Sequence, residues 1–578
     1  MWLLVFLAWL VIWVGGTYWY LFGKPSPFSL ESVRPPGPRE FDQKKRDKVI
    51  KQGFHVDKVP RDLDVIVIGS AGKKVLVLEQ HDQAGGCCHT FIEKGFEFDV
   101  GLHYIGQVHE NSLLRIAFDQ ISEGQLEFQE LKQHFDTIQI GLGDEKREYT
   151  IFSGKSEMKA HLMKQFPDDT EAIETFFKIM KVSAKKTHYL ATLKLIPQWV
   201  SLFLLKSGIG NLVTPVFRLT GTCAADLVNT LTSNKDLHVI FSYLFYGGSP
   251  KRRDSSALIN ALLIHHYKRG AYYPKGGSSE IAFHIIRTIQ KHGGNCLVRA
   301  PRLPDPGVKV RRGQEEVEIH APVVVSNCGI FTTFQKLLPP EIHLKTGEGS
   351  FLVFSGFDGT EEELGLESTN FWLFKNNDMD KSMEDFFALS KEEAPDNIPM
   401  MFITMPSAKD PEAKIRHPGK SCMTILTMVK YEWFEEWKDT TVRKRGDEYH
   451  DYKMRFAKNL FDWACTLFPK IKDKDVATPL TNMHYLGSQR GAMYSAEHNL
   501  ERFHAENVAR NRCNTPVKNL YISGQDVFSC GIAGALHGGL LCASTVLDHI
   551  VYIDLLLLKK NNINTSLIIN LIALHRLL

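Results

Sequence analysis

Two short apolar runs with very little sequence between them restrict the possible folds of this chain more than any other feature. Residues 65–70 read VIVIGS and residues 75–79 read VLVLE. Buried parallel strands have this near-continuous apolar pattern. In a dinucleotide-binding unit such a strand leads into a glycine-rich turn and a helix, whose N-terminus binds a pyrophosphate, and an acidic residue after the next strand binds a ribose hydroxyl. The pattern therefore places Gly69 and Ser70 at a pyrophosphate and Glu79 at a ribose.

The connection between the two runs is too short for the helix that normally joins them. Six residues, 69–74, separate VIVI from VLVL, and they span at most roughly 20 Å. A parallel crossover has to return along about 13 Å of strand and to clear the sheet by roughly 10 Å, and it usually takes a dozen residues or more. We therefore expect either an antiparallel hairpin or a dinucleotide site that has lost its crossover helix.

Glycine-rich motifs farther along the chain favour the dinucleotide interpretation. Residues 85–91 read GGCCHTF, and a double glycine lets a backbone approach a bound dinucleotide closely. Residues 520–539 read LYISGQDVFSCGIAGALHGG, in which a strand is followed by an acidic residue and a glycine-rich helix start. Each motif alone is typical of a tight turn. Their order along almost the whole chain indicates that distant segments enclose one elongated flavin nucleotide.

Composition excludes several classes of protein. The formal net charge is +3, and there is no sustained basic stripe, so nucleic acid is not an expected partner. The 10 cysteines in 578 residues include no Cys-x-x-Cys pair, which argues against a disulfide framework and against a zinc site. The acidic stretch 378–384 has methionine where a calcium loop needs its sixth-position glycine, so no metal site is predicted. The length predicts two or more domains.

Two apolar stretches indicate contact with a membrane. Residues 1–23 contain no charged side chain and are long enough to span a hydrocarbon core. An uncleaved anchor and a cleaved signal peptide both fit this stretch, and both direct the chain to the endoplasmic reticulum. Residues 193–212, LKLIPQWVSLFLLKSGIGNL, fit either a core helix or a segment that lies in the surface of a bilayer.

The motifs taken together resemble a known family. With FDVGLHYIG at 98–106, YYPKGG at 272–277 and VVVSNCG at 323–329, the chain is similar to the flavin-dependent phytoene-desaturase and carotenoid-isomerase group, and within it to the members that saturate retinoids. The resemblance runs from the N-terminus to about residue 547. It implies an α/β, two-domain fold like that of FAD-dependent amine oxidases, with a Rossmann-like FAD domain, an α+β substrate domain and an N-terminal hydrophobic helix.

The resemblance also implies a function. It indicates a flavoprotein of the endoplasmic reticulum membrane that uses FAD to reduce the 13,14 double bond of all-trans-retinol, or of a related polyene. Membrane lipid is the implied partner. Whether NAD or NADP supplies the electrons, and how many copies of the chain associate, is left open.

The family pattern assigns roles to residues of this sequence. Besides Gly69, Ser70 and Glu79, the cofactor residues are Gly85, Gly86, Thr90, Gly524, Asp526, Ala533 and Gly534. The candidate proton donors are His103, Tyr104, Arg490 and His537. The cofactor residues would line the cofactor channel from the adenosine ribose to the isoalloxazine, and the candidate proton donors would lie near the flavin face.

The predicted division of the chain follows the same pattern. The segments are a signal or anchor (1–23), a linker (24–61), the first FAD-binding part without its crossover (62–150), a mainly helical region for substrate or membrane contact (151–271), the second FAD-binding part (272–345), the substrate domain (346–480), the third FAD-binding part (481–550) and an atypical tail (551–578).

Three departures from the family pattern keep alternative functions open. The glycine-rich turn and helix after Ser70 are missing, the segment 302–312 is short, and residues 553–578 do not read like the family tail. Losing whole segments at clean edges is typical of a differently joined transcript. The alternatives are therefore an active retinoid saturase, an impaired or inactive variant of it, and a carotenoid desaturase or isomerase.

Overall fold

The computed structural model describes residues 23–68, 74–244, 252–301, 308–312, 315–336, 346–442, 444–471 and 475–563, and scattered helical positions between residues 2 and 19. The strands of these residues, in chain order, are β1 (Val65–Ile68), β2 (Val75–Leu78), β3 (Thr90–Glu93), β4 (Phe96–Asp99), β5 (Ile105–Gly106), β6 (Phe128–Glu130), β7 (His134–Ile140), β8 (Arg147–Phe152), β9 (Ala271–Pro274), β10 (Asn295–Leu297), β11 (Val308–Arg312), β12 (Glu315–Ile319), β13 (Val323–Ser326), β14 (Gly349–Asp358), β15 (Asn370–Phe374), β16 (Met400–Thr404), β17 (Lys420–Val429), β18 (Asp475–Ala477) and β19 (Leu520–Ile522).

The helices are α1 (Gln43–Ile50), α2 (Leu113–Ser122), α3 (Glu157–Gln165), α4 (Thr170–Lys186), α5 (His188–Leu195), α6 (Gln198–Lys206), α7 (Ile209–Val213), α8 (Val216–Thr220), α9 (Ala224–Leu231), α10 (Lys235–Ile240), α11 (Ala257–Tyr267), α12 (Ser279–Lys291), α13 (Glu361–Leu364), α14 (Met379–Ala388), α15 (Pro406–Lys409), α16 (Ala413–Arg416), α17 (Asp447–Cys465), α18 (Pro479–Leu486), α19 (Leu500–Phe503), α20 (Ala505–Arg510), α21 (Gly531–Val546) and α22 (Val551–Ile563).

A five-stranded parallel sheet, here called the cofactor sheet, has the strand order β10–β2–β1–β13–β19. Val65 of β1 lies opposite Val75 of β2 on one side and opposite Val323 of β13 on the other, and both pairings are parallel. The expectation of an antiparallel hairpin is therefore wrong. Two apolar strands that are buried on both faces fit the interior of a parallel sheet, where each strand has a ladder on both edges. Most of the connection, residues 69–73, lies outside the described residues, and with it Gly69 and Ser70.

The two faces of the cofactor sheet have different covers. Side chains alternate between the faces along a strand, so Ile66 and Leu76 point one way, and Val67 and Val77 point the other. Ile66 and Leu76 are fully buried against the antiparallel β11–β12 hairpin. Val67 and Val77 face the side on which α12 and α21 pack, and both line a large cavity.

A seven-stranded mixed sheet forms the substrate domain, in the order β18–β14–β17–β16–β15–β7–β8. Its neighbours are antiparallel except for the parallel pair β7 and β15. The sheet carries the largest hydrophobic core of the described residues, which is rich in aromatic side chains such as Phe351, Phe402 and Phe456. β7 and most of β8 fall within the range 62–150 that the sequence analysis assigned to the first FAD-binding part, and in the structure both strands belong to the mixed sheet. The parallel cofactor sheet and the mixed sheet together confirm the predicted two-domain fold.

The predicted linker, residues 24–61, contains a docked helix rather than only extended chain. The guanidinium of Arg46 on α1 forms an ion pair with Glu280 of α12 and lies 4.6 Å above the ring of Phe283. Ile50 and Phe54 are buried beside the cofactor sheet. α1 therefore belongs to the cofactor domain.

The apolar stretch that the sequence left undecided lies on the surface. Trp199, Phe203 and Leu212, on α6 and just after it on α7, are 74%, 60% and 87% exposed, so the core-helix interpretation is wrong for this part. Over the described residues, no individual helix has the length and apolar character to cross a membrane. α21 and α22 meet that test only as a pair, bent by 119°. The predicted signal or anchor at 1–23 lies largely outside the described residues.

Candidate functional site

A cavity of about 2360 Å³ lies between the cofactor sheet and the substrate sheet. Its wall includes Glu79, Gly85 and Gly524 on the cofactor side, and Trp372 and Phe402 on the substrate side. Ligands of open parallel sheets bind outside the carboxyl ends of the strands. Glu79 directly follows β2, and Gly524 is the second residue after β19. The structure thus brings together residues that are more than 400 positions apart, as the motif order predicts.

At the ribose end, Glu79 lies where the second strand of a dinucleotide fold presents its acidic residue. Its Oε1 accepts a hydrogen bond from the backbone N–H of His81 at 2.9 Å, and burial raises the pKa of its carboxyl group. The turn with Gly85 and Gly86 follows, at φ angles of 122° and 52°. Glycine adopts such angles without strain. A Cβ on Gly85 would lie 3.2 Å from Ala282 on α12.

At the flavin end, glycines allow close approaches between the loop after β13, the turn after β19 and the start of α21. A Cβ on Gly524 would lie 2.0 Å from Asn327 Oδ1, and one on Gly534 would lie 1.7 Å from the carbonyl oxygen of Ser529. Gly524 also has a φ of 91°, which disfavours other residues. The start of α21, including the cavity-lining Ala533, therefore packs tightly on the turn after β19. Only glycine at Gly524 and Gly534 permits this wall.

Asp526 holds the flavin end together. Its Oδ2 accepts hydrogen bonds from the backbone N–H of Ile330 at 2.7 Å and from Ser495 Oγ at 2.9 Å, and Arg502 lies 3.9 Å from Oδ1. Asp526 lines the cavity and is 4% exposed. Its carboxylate joins the loops that follow β13 and precede α19 to the turn after β19. A direct contact with the ribityl chain stays a prediction.

The described lining residues fit FAD at both ends, with an acidic residue for the adenosine ribose and close-packed glycine backbone for the isoalloxazine. Two residues that the family pattern assigned to the site, Thr90 and Arg490, lie elsewhere. Thr90 is in the β3–β4 hairpin, where its carbonyl oxygen accepts a hydrogen bond from Gln83 at 3.0 Å. Arg490 pairs with Glu432 and stacks on Tyr431 at 4.7 Å. Neither lines the cavity, so the structure does not support their predicted roles.

His103 and His537 line the cavity as uncharged imidazoles. Burial and the nearby ammonium of Lys409 lower the pKa of His103 to about 3, and its buried Nδ1 has no hydrogen-bond partner among the described groups. Burial also lowers the pKa of His537, whose Nδ1 lies 2.8 Å from the carbonyl oxygen of Ala533 and whose ring stacks on Phe528. Both shifts favour the neutral ring and so argue against an imidazolium acid at either position.

Tyr104 lines the cavity and belongs to a buried polar network that the sequence analysis missed. Tyr104 and Tyr243 both donate hydrogen bonds to Asp136 Oδ2, at 3.2 and 2.9 Å. Asn370 Nδ2 donates to Asp136 Oδ1 at 2.8 Å, and Lys409 Nζ donates to Asn370 Oδ1. Burial raises the pKa of Asp136 to about 6 and lowers that of Lys409 to about 7. An aspartate inside the apolar strand HFDTIQI was the one sequence signal for this network.

Part of the cavity lies over the cofactor sheet and is lined by apolar side chains. This region, here called the trench, is bounded by Val67, Val77 and Val325 of the sheet and by helices α2, α12, α21 and α22, with Leu113, Ala117, Ile121, Ile285, Ile289, Leu540, Ala543, Val551 and Leu555. A crossover helix of a dinucleotide-binding unit packs on a face of the sheet between its two strands. The trench is the space that such a helix would fill.

Part of the chain matches a family model. Residues 67–121 match the model described as an NAD(P)-binding Rossmann-like domain. Among solved structures, cyclohexylamine oxidase from Brevibacterium oxydans aligns with 84% of this chain and 98% of its own, at 14% identity and a TM-score of 0.49.

Curated relatives match over nearly the full length. An "Inactive all-trans-retinol 13,14-reductase" of Danio rerio is 51% identical over 595 positions, covering 97% of this chain and 98% of that protein. An "All-trans-retinol 13,14-reductase" of Danio rerio is 41% identical, and the alignment covers 97% of this chain and 98% of that protein. The human protein of that name is 40% identical, over 92% of this chain and 93% of its own length. The chain belongs to the all-trans-retinol 13,14-reductase family.

Proposed function

We propose that this chain is an FAD-dependent oxidoreductase that saturates the 13,14 double bond of all-trans-retinol at the endoplasmic reticulum membrane. The observation that carries the proposal is the continuity of the cavity, which joins the two cofactor ends to an apolar and aromatic chamber in the substrate domain. A polyene binds by burying its length against such a surface. The choice of a retinoid as the substrate, and of reduction as the reaction, rests on the family relationship.

The substrate chamber is formed by stacked rings. Tyr104 and Tyr267 stack with ring centres 4.6 Å apart, and Trp372 and Phe402 lie at the same separation. Saturating the alkene adds a hydride and a proton across it, and reduced FAD, when bound, would supply the hydride. Tyr104 lines the chamber, and its hydroxyl group donates a hydrogen bond to Asp136. We assign the proton to this hydroxyl group, whose O–H has to turn from Asp136 towards the alkene to deliver it.

The experiment is a flavin titration followed by product analysis. Purified chain should bind FAD stoichiometrically, show flavin absorbance and convert all-trans-retinol, with reductant, to its 13,14-dihydro product. Tyr104→Phe should lose most of the conversion while retaining FAD. Tyr243→Phe is the matched control, because it removes the other donor to Asp136 and should retain more activity. Conversion of a carotenoid instead of retinol would indicate the desaturase or isomerase alternative.

The membrane part of the proposal is supported by a surface here called the apolar patch. It consists of Trp199, Phe203, Ile209, Leu212 and Val213, which are 74%, 60%, 41%, 87% and 55% exposed. Exposed aromatic and aliphatic side chains on short helices suit the boundary between headgroups and acyl chains. α5, which leads into this patch, begins at His188 on the cavity wall, so an apolar substrate would have a short route from lipid.

Flotation with phosphatidylcholine vesicles tests this part. Removing the apolar area by changing Trp199, Phe203 and Leu212 to Asp should abolish flotation of the chain lacking residues 1–22. Ile415→Asp is the control, because Ile415 is 64% exposed but lies outside the patch. Equal flotation of the triple variant and the control would contradict membrane docking through this surface.

The second candidate function is that of a catalytically inactive family member. Two observations favour it. The connection between β1 and β2 is six residues long, and the relative that is 51% identical is named inactive. That alignment runs over 595 positions and takes in 97% of the 578 residues, so about 34 positions have no counterpart here, enough for a glycine-rich turn and a helix. Absence of FAD binding at micromolar concentration would support this candidate.

A further inference from the structure

The cavity has a cationic region that the proposed function does not use. We call it the cationic vestibule and define it as His109, His265, Lys268, Arg269 and Lys559, all of which line the cavity. These residues come from three separate segments, namely the loop after β5, the end of α11 and the helix α22. Their convergence is therefore a product of the tertiary structure.

The positive groups of the vestibule lie close enough to act on one another. Burial, Arg269 and Lys559 lower the pKa of His109 to about 4. Burial, together with Lys268, His109 and Arg269, lowers the pKa of His265 to about 4. Burial and neighbouring cations also lower the pKa of Lys268, and burial lowers that of Lys559. Positive charges have thus been brought together on the cavity wall, where Lys268 and Lys559 are half-buried and Arg269 is exposed, and this repulsion is relieved when an anion joins them.

The described residues supply no such anion. Lys268, Arg269 and Lys559 form no ion pair with a described carboxylate. The acidic side chains on the cavity wall are engaged elsewhere: Glu79 accepts a hydrogen bond from His81, Glu123 pairs with Lys291, and Asp526 joins the loops at the flavin end. A second, independent observation points the same way. The buried Nδ1 of His109 has no hydrogen-bond partner among the described groups.

We propose that the cationic vestibule binds a phosphate group, carried either by a soluble phosphate ester or by a phospholipid headgroup. An arginine fork and two ammonium groups match the several oxygens and the double charge of phosphate better than a single carboxylate. The neutral rings of His109 and His265 add N–H donors. Retinol carries only a hydroxyl group, so the retinoid does not account for three converging cations. The site does not depend on whether the chain reduces retinol.

Inorganic pyrophosphate is the first probe, with sodium chloride at matched ionic strength as its reference. The full chain should unfold at a higher temperature in pyrophosphate than in the reference. Arg269→Glu and Lys559→Glu should weaken the apparent affinity by about tenfold or more, equivalent to one charge-assisted hydrogen bond. Lys414→Glu is the matched control, because Lys414 is an exposed lysine of the substrate domain. Because pyrophosphate also resembles part of FAD, the comparison of these variants, and not the shift alone, identifies the site.

Vesicles distinguish the two sources of phosphate. If the site takes a lipid headgroup, phosphatidylcholine vesicles that contain phosphatidic acid should bind wild type more than Arg269→Glu, and pyrophosphate should compete. If it takes a soluble ester, pyrophosphate should stabilise the chain while phosphatidic acid adds nothing. Equal responses of Arg269→Glu and Lys414→Glu to both probes would overturn the proposal. Arg269→Gln, which introduces no negative charge, provides the same comparison if Arg269→Glu does not fold.

Discussion

The two ends of the cofactor cavity are built in different ways. At the flavin end, Gly524 and Gly534 permit close approaches between neighbouring segments, and Asp526 accepts hydrogen bonds from two adjoining loops. At the ribose end, two strands keep their places in a parallel sheet, while the space above them is an apolar trench. The difference shows that the sheet and the flavin wall do not need the crossover helix for their geometry, because β1 is paired with β13 as well as with β2.

The largest effect should come from restoring the crossover. Replacing residues 69–73 with a Gly-x-Gly-x-x-Gly turn and a crossover helix should strengthen FAD binding by about 100-fold or more. The reason is that two or more charge-assisted hydrogen bonds to the diphosphate, each worth about 1.5–3 kcal/mol, would be regained. Flavin fluorescence titration measures the change. A helix of equal length with alanine at the turn glycines is the control, since it fills the trench without a phosphate site. Equal FAD affinity of the wild type, the variant with the restored crossover and the alanine control would show that the ribose end does not lack a phosphate site.

At the flavin end, Gly534→Ala should destabilise the protein by about 1–3 kcal/mol or more, because its Cβ would lie 1.7 Å from a backbone oxygen. Gly539→Ala, on the same helix, has nothing within 4 Å of its Cβ and should stabilise by up to about 1 kcal/mol through helix propensity. Urea unfolding separates the two. Similar losses in both variants would mean that the flavin end is not tightly packed.

At the ribose end, Glu79→Gln should weaken FAD binding by about tenfold, the value of one hydrogen bond to a charged acceptor. Glu318→Gln serves as the control, because Glu318 lies on β12, which covers the opposite face of the sheet, and does not line the cavity. Isothermal titration with FAD gives both affinities. An unchanged affinity in Glu79→Gln would remove Glu79 from the site.

The smallest effect is a pH dependence of that same contact. Burial raises the pKa of Glu79 above its ordinary value of 4.5, and the ionised carboxylate accepts a hydrogen bond from a ribose hydroxyl more strongly than the protonated acid does. FAD affinity should therefore rise several-fold as pH increases through the raised pKa. The empty protein has the opposite dependence, because a raised folded pKa means that stability falls as pH rises through that window. Glu79→Gln should flatten both curves, and a curve of unchanged slope would assign the titration to another group.

Several parts of the fold were predictable because their cause is local in the sequence. The runs VIVI and VLVL indicate buried strands by composition alone, and the glycines near 85 and 524 indicate close backbone approaches. The direction of pairing was not predictable from these runs, because it is decided by β13 and β10, which are more than 200 residues away in the chain.

The polar groups of the substrate chamber and of the vestibule were not predictable either, because their contacts join segments that are distant in the sequence. Asp136, Asn370 and Lys409 come from three elements that meet only across the mixed sheet. Lys409 is a lysine that is 1% exposed, and nothing in its neighbours in the sequence distinguishes it from a surface lysine. The exposure of Trp199 and Phe203 depends likewise on which face of α6 the domain leaves uncovered.

The sequence by itself determined the family, the two-domain α/β architecture and the order in which segments approach a dinucleotide, because strand composition and glycine positions act through neighbours in the chain. Only the tertiary structure decided that β1 and β2 run parallel, that Arg490 and Thr90 do not line the cavity, and that cations and a tyrosine of a buried polar network do. Those features depend on contacts between distant segments, whose energies no local pattern contains.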